Sequence, residues 1–224
     1  MSDIDLSEIK SPADIRRMNK TQLKELAAAM RKSLLTKLSA HGGHVGPNLG
    51  MIEAIIALHY VFNTPDDKIV FDVSHQTYPH KMLTGRMRAF TDAAHYDDVT
   101  GYSNQIESDY DLFSLGHTSS AVSLASGLAK ARDLRNGKEN VIAVIGDGSL
   151  SGGVAFEGLG YGATLGSNFI VVVNDNDMSI AENHGGIYDN LRLLRDTDGT
   201  ADNTFSVRLD MITVMCITAT TSRV

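Results

Sequence analysis

The sequence predicts an α/β protein built on a parallel sheet, and three observations carry that prediction. Two apolar runs, "NVIAVI" at 140–145 and "NFIVVV" at 168–173, are continuous rather than alternating, as in strands buried on both faces. A glycine-rich stretch of helical length lies between them, giving a strand–helix–strand order and hence parallel pairing. An earlier run, "KIVFDV" at 68–73, and an Ala-, Ser- and Gly-rich helix at 118–134 supply a further strand and crossover, so helices are expected on both faces of the sheet.

The preceding chain reads as helical. "SPAD" at 11–14 is a helix start, with Ser11 as cap and Pro12 in the first position. Leu23, Leu26, Ala27, Met30, Leu34 and Leu38 recur at helical spacing until His41-Gly42-Gly43 ends the pattern. The loop "HVGPNLG" then leads to a buried helix over 51–62, apolar on most sides. Residues 87–111 are polar and weakly patterned and read as a surface excursion.

With 224 residues the chain has room for one α/β domain or slightly more. A net charge of −7 argues against a general nucleic-acid surface, although backbone amides or a metal can hold an anion locally. The single cysteine, Cys216, excludes an internal disulfide framework and suits a reducing compartment. No apolar run reaches membrane-spanning length, and the acidic start "MSDIDLSEIK" is unlike a signal peptide. The expected location is the cytoplasm.

The chemistry concentrates where the apolar runs end. "GDG" at 146–148 closes one and "NDN" at 174–176 the other. In open parallel sheets ligands sit beyond the carboxyl ends of the strands. Asp147 and Asn176 offer there an anionic and a neutral oxygen, a set that suits Mg²⁺ shared with phosphates. The adjacent glycines let a diphosphate approach the backbone. Two other readings stand beside this one. Asp147 can be only a helix cap and the glycines only a turn. "GDGSLS" is also a near miss to a dinucleotide fingerprint, with Ser151 in place of its third glycine and Asp175 in place of the ribose-binding acid.

The paired "GDG" and "NDN" resemble the thiamine-diphosphate motif of the transketolase superfamily. "GGHVGPNLGMIEAIIALHYVFNTPDDKIVFDVSHQTYPHKMLTGR", "ESDYDLFSLGHTSSAVSLASGLAKARDL" and "NDNDMSIAEN" narrow the resemblance to the 1-deoxy-D-xylulose-5-phosphate synthase family over residues 11–205. The resemblance implies a thiamine-diphosphate-binding fold, here incomplete, with Mg²⁺ held by the Asp147 and Asn176 side chains and the Met178 carbonyl. It implies diphosphate contacts from Gly148 and Ser149 beside Gly146, and a cofactor segment at Gly116, His117 and Thr118. His75 matches a residue beside the cofactor's reactive end, and His44 one that faces substrate. His80 and the acidic run at 107–111 read as structural, and His41, His59, His95 and His184 as surface or packing residues.

The reaction implied is the condensation of pyruvate with glyceraldehyde 3-phosphate, a phosphorylated aldose, with loss of CO₂, in a homodimeric enzyme of isoprenoid biosynthesis. Family members are several hundred residues longer and carry the ring-activating glutamate in a second domain, to which no residue here corresponds. The chain is therefore expected to be inactive alone. A subunit of a split transketolase-type enzyme and a non-catalytic cofactor-binding module are the alternatives. Ser74 stands where the family has glycine and Thr118 where it has serine, and the basic residues usual before "ES" are missing at 104–106, which leaves the acceptor open.

Resemblance stops after Phe205. Codons permitted for the tail, read one base earlier, allow a continuation similar to the family's. An Asp overlapping Met211 and a Val overlapping Met215 and Cys216 are forced by the genetic code. Residues 206–224 therefore read as an out-of-frame tail, with a genuine β-strand in "MITVMCITATT" as the alternative.

Overall fold

The protein is represented by a computed structural model that describes residues 4–175, 184–186 and 188, and the backbone of strands at 204–209 and 212–218. The chain divides into two compact units. One comprises Met1–Asp66 and Ser74–Gly116, the other Asp67–Val73 and His117–Val224. Among the described residues no helix is long and apolar enough to cross a membrane.

The first unit is helical. α1 (Pro12–Ile15) opens with the expected capping box between Ser11 and Asp14. α2 (Lys20–His41) carries a cap the periodicity did not reveal: the Asn19 side chain accepts from the amides of Thr21 and Gln22 at 2.9 and 3.0 Å, while Gln22 accepts from the Asn19 amide at 2.9 Å. Its apolar stripe, Leu26, Ala27, Met30, Leu34 and Leu38, is buried, and Gly42 ends the helix at φ +81°. α3 (Gly46–Val61) begins five residues before the expected start. Pro47 explains the difference: its fixed φ suits a first turn, where its missing N–H costs nothing.

The stretch 87–111 is a correction. It is not a surface excursion, since Met87, Ala89, Phe90, Tyr96, Ser103 and Asp111 are buried. It follows α4 (Tyr78–Lys81), contains α5 (Arg88–Thr91), and closes over a polar network that hydrophobic patterning cannot register. Nδ1 of His59 meets the Thr64 hydroxyl at 3.0 Å, its Nε2 meets Nδ1 of His80 at 2.9 Å, and Nε2 of His80 meets the Asp111 carboxylate at 2.9 Å. Arg86 donates two bonds to Asp111, at 2.8 and 2.9 Å, and Lys81, fully buried, donates to Glu107 at 2.6 Å. Pairing satisfies charges that would otherwise be costly to bury. His80 and the acidic run are thus structural, as expected, but Glu107 and Asp111 are embedded rather than solvated.

The second unit is the sheet. β1 (Lys68–Phe71), β2 (Val141–Gly146) and β3 (Phe169–Asp175) pair in parallel; β5 (Ile212–Thr218) runs parallel beside β3, and β4 (Thr204–Leu209) lies antiparallel at the edge. β1 ends two residues short of the expected strand because Val73 and Ser74 turn to φ +56° and +68°. Residues 141–145 are wholly buried, as a continuous apolar run requires. α6 (Ala121–Leu134) packs on β1 and β2, with Ala121, Val122, Ala125 and Ala129 allowing close approach. α7 (Asp147–Leu150) and α8 (Gly153–Gly162) link β2 to β3, and α8 lies against α6. Gly158 is required there, because a Cβ would sit 2.7 Å from the Ser123 amide.

Burial, reinforced by His80, holds His59 well below its usual range; burial also lowers His80, with Asp111 acting against it. The unfolded chain therefore takes up protons below about pH 6.5 that the native network refuses. Stability is full above that pH and falls as pH drops below it. Thermal unfolding followed from pH 8 to pH 5 shows this loss, and His59→Gln, which cannot charge, flattens it.

Candidate functional site

At the carboxyl ends of the parallel strands the register sets Gly146 opposite Asn174. Asp147 follows directly, 3% exposed as the first residue of α7, and β3 ends in the buried Asp175. The side-chain oxygen of Asn174 is buried without a hydrogen-bond partner among the described residues. A buried carboxylate and an amide oxygen in paired strand ends suit a hard cation. Among the described residues no three His, Cys, Asp or Glu side chains are grouped so as to hold a metal. Asn176 and Met178 lie outside the described residues. The orphaned oxygen of Asn174 adds a residue that the sequence reading passed over in favour of Asn176.

The same edge carries the loop before α6. His117 and Thr118 are exposed, and Ser119 behind them is buried at φ +68°. The Asp72 carboxylate, just past β1, accepts from the amides of Ser119 and Ala121, each at 2.9 Å. Two amides near the start of this helix are therefore engaged within the protein. The Ser119 hydroxyl donates to the Ser149 carbonyl at 2.7 Å, and a Cβ on Gly152 would lie 1.9 Å from that hydroxyl. Gly148 and Ser149 are half-buried, and the Tyr188 hydroxyl reaches the Gly148 carbonyl at 3.3 Å and Ser151 Oγ at 2.9 Å. Asp72, Ser119 and Gly152 were not singled out from sequence; only the polar residue ending "KIVFD" hinted at the first.

In the first unit His44 and His75 stand together, ring centroids 5.9 Å apart and edge to face. Tyr102 lies 5.0 Å and Tyr78 6.3 Å from the His44 ring. Nδ1 of His44 is buried without a hydrogen-bond partner among the described residues, and burial pushes the Tyr78 hydroxyl up. Asn48, fully buried, ties the cluster: its amide donates to the carbonyls of His44 and His75 at 2.7 and 2.8 Å and accepts from the Tyr78 amide at 2.8 Å. Ser74 has the left-handed φ that favours glycine, and its hydroxyl accepts from the Ser103 amide at 2.9 Å and donates to the Leu115 carbonyl at 3.2 Å. Gly116, exposed, closes this unit.

The architecture is shared with a solved transketolase from Campylobacter jejuni: the TM-score is 0.63 at 19% identity over 79% of this chain and 32% of that one, a likeness of fold. The family model described as 1-deoxy-D-xylulose-5-phosphate synthase matches residues 6–218, and the chain belongs to that family. Similar relatives include the 1-deoxy-D-xylulose-5-phosphate synthases of Desulforudis audaxviator, 50% identical over 85% of this chain, and of Brevibacillus brevis, 46% identical over 86%. The chain spans 30% of the first relative's length and 31% of the second's. Membership implies thiamine diphosphate as the cofactor.

Asn48→Ala removes two donors and one acceptor from a buried position. Urea unfolding is expected to show a loss of about 3 kcal/mol, three bonds at about 1 kcal/mol each. Asn48→Asp, which keeps the acceptor for Tyr78 but sets a buried carboxylate oxygen against the His44 and His75 carbonyls, is expected to lose at least as much.

Proposed function

We propose that this chain is the diphosphate- and metal-binding part of a thiamine-diphosphate-dependent 1-deoxy-D-xylulose-5-phosphate synthase. The observation that carries the reading is that the buried Asp147, directly after β2, and Asn174 of the paired β3, whose side-chain oxygen is buried without a partner among the described residues, both fall at the carboxyl end of the sheet. In it Asp147, Asn176 and the Met178 carbonyl hold Mg²⁺. Gly146, Gly148 and Ser149 receive the diphosphate together with Gly116, His117 and Thr118. When bound, thiamine diphosphate supplies the electron sink for breaking and making carbon–carbon bonds. His75 orients the cofactor's reactive end, and His44 holds or moves a proton at the substrate.

The substrates are pyruvate and glyceraldehyde 3-phosphate, the working assembly is a homodimer, and the location is the cytoplasm. In this reading the chain binds the cofactor, and no turnover is expected of it alone. Residues 1–205 form the binding part, and for 206–224 the sequence suggests an out-of-frame tail. The family match to residue 218 and the pairing of β5 with β3 favour a genuine strand instead. DNA sequence across codon 200 separates the two: a family-like continuation in the shifted frame supports the tail reading, and its absence removes it.

Calorimetry of the chain with thiamine diphosphate and Mg²⁺ tests the main reading. Binding is expected to require the metal, and Asp147→Asn is expected to weaken it at least about tenfold, 1.4 kcal/mol. Metal-independent binding, or binding unaffected by that substitution, contradicts it. Turnover by the unaltered chain would contradict its predicted inactivity.

A further inference from the structure

Ser119 is a non-glycine residue held at φ +68°, a conformation that costs free energy and persists only where its surroundings enforce it. Here they do so from three sides. One oxygen of Asp72 accepts from its amide, and the other accepts from the amide of Ala121 two residues on. Its hydroxyl donates to the carbonyl of Ser149. Its side chain rests on Gly152, where a Cβ would come within 1.9 Å of Oγ and 2.5 Å of the Ser119 Cβ. Ser119 itself is 7% exposed, whereas His117 and Thr118 face solvent. It has little access to a ligand, yet it joins the loop that precedes α6 to the turn that follows β2.

We propose that Ser119 is a positioning residue that fixes the spacing between the His117-Thr118 loop and the Gly148-Ser149 turn, with Asp72 and Gly152 as its seat. The proposal rests on the reading that this sheet edge receives a diphosphate. In that setting the two segments supply contacts to one group from separate parts of the chain, and their relative placement decides whether both sets are made at once.

A purely structural link of the same kind exists nearby. The Ser123 hydroxyl donates to the Val154 carbonyl at 2.7 Å, and Gly158 lies against Ser123 as Gly152 lies against Ser119. It joins the first turn of α6 to that of α8 rather than the His117-Thr118 loop to the Gly148-Ser149 turn, and provides the control.

Ser119→Ala and Ser123→Ala are compared in the full chain by thermal unfolding and by calorimetry with thiamine diphosphate and Mg²⁺. Both are expected to lower the melting temperature by a few degrees, as loss of one hydrogen bond does. Only Ser119→Ala is expected to weaken cofactor binding, by about tenfold. Gly152→Ala is expected to weaken binding as well, whereas Gly153→Ala, whose Cβ meets no atom within 4 Å, leaves it unchanged. Adding Ser119→Gly to Gly152→Ala restores stability by removing the clash, but not affinity, because the link to Ser149 stays broken. Equal affinity losses in the two serine variants, or none in Ser119→Ala, overturn the proposal. If the unaltered chain binds no cofactor, the reading of the site fails. Amide hydrogen exchange over 148–152 then decides on positioning alone: faster exchange in Ser119→Ala than in Ser123→Ala supports it, and equal rates overturn it.

Discussion

The parallel pairing of β2 with β3 is the constraint on which the functional reading depends. Parallel strands deliver all their carboxyl ends to one edge, and the helical crossover between them cannot be shortened to a hairpin. The register sets Gly146 opposite Asn174, so the residues that end each strand are neighbours although 28 positions separate them in sequence. The interior of β2 is apolar and fully buried, which makes the sheet the rigid support of its own polar margin. The proposed function then belongs to the few residues at which the apolar runs stop.

Around that margin the protein uses backbone conformations that ordinary residues avoid. Val73, Ser74 and Ser119 all have positive φ. Ser74 and Ser119 are each held by hydrogen bonds to segments distant in sequence, and each spends its hydroxyl on a main-chain group. Strain of this kind is maintained only where the surroundings over-determine it. The serine at 74 thus departs from the glycine expected of the family without abandoning the conformation, because its hydroxyl adds two bonds that glycine lacks.

Much of the fold was legible because it is written in apolar periodicity. The core of β2 and β3, the long α2 and the crossover α6 follow from runs and stripes that burial then satisfies. Boundaries were less legible: Pro47 draws the "HVGPNLG" loop into α3, and α6 starts at Ala121, after a loop organised by Asp72. The segment 87–111 was misread because its burial is polar, and an acid such as Asp111 shows no sign in sequence of the His80 and Arg86 that satisfy it. The site was legible in part for the same reason. Asp147 announces itself by ending an apolar run beside glycines. Asn48 and Ser119 are tied to partners 27 to 47 residues away, and no local pattern encodes such contacts.

The central claim is that the paired strand ends hold a divalent cation through Asp147. The most direct measurement is a crystal structure of the chain grown with Mn²⁺ and thiamine diphosphate, with anomalous scattering recorded at the manganese edge. The account predicts one strong peak in coordinating contact with the Asp147 carboxylate, at the end of β2. A peak elsewhere, or none while Asp147 remains buried against protein groups alone, would contradict it.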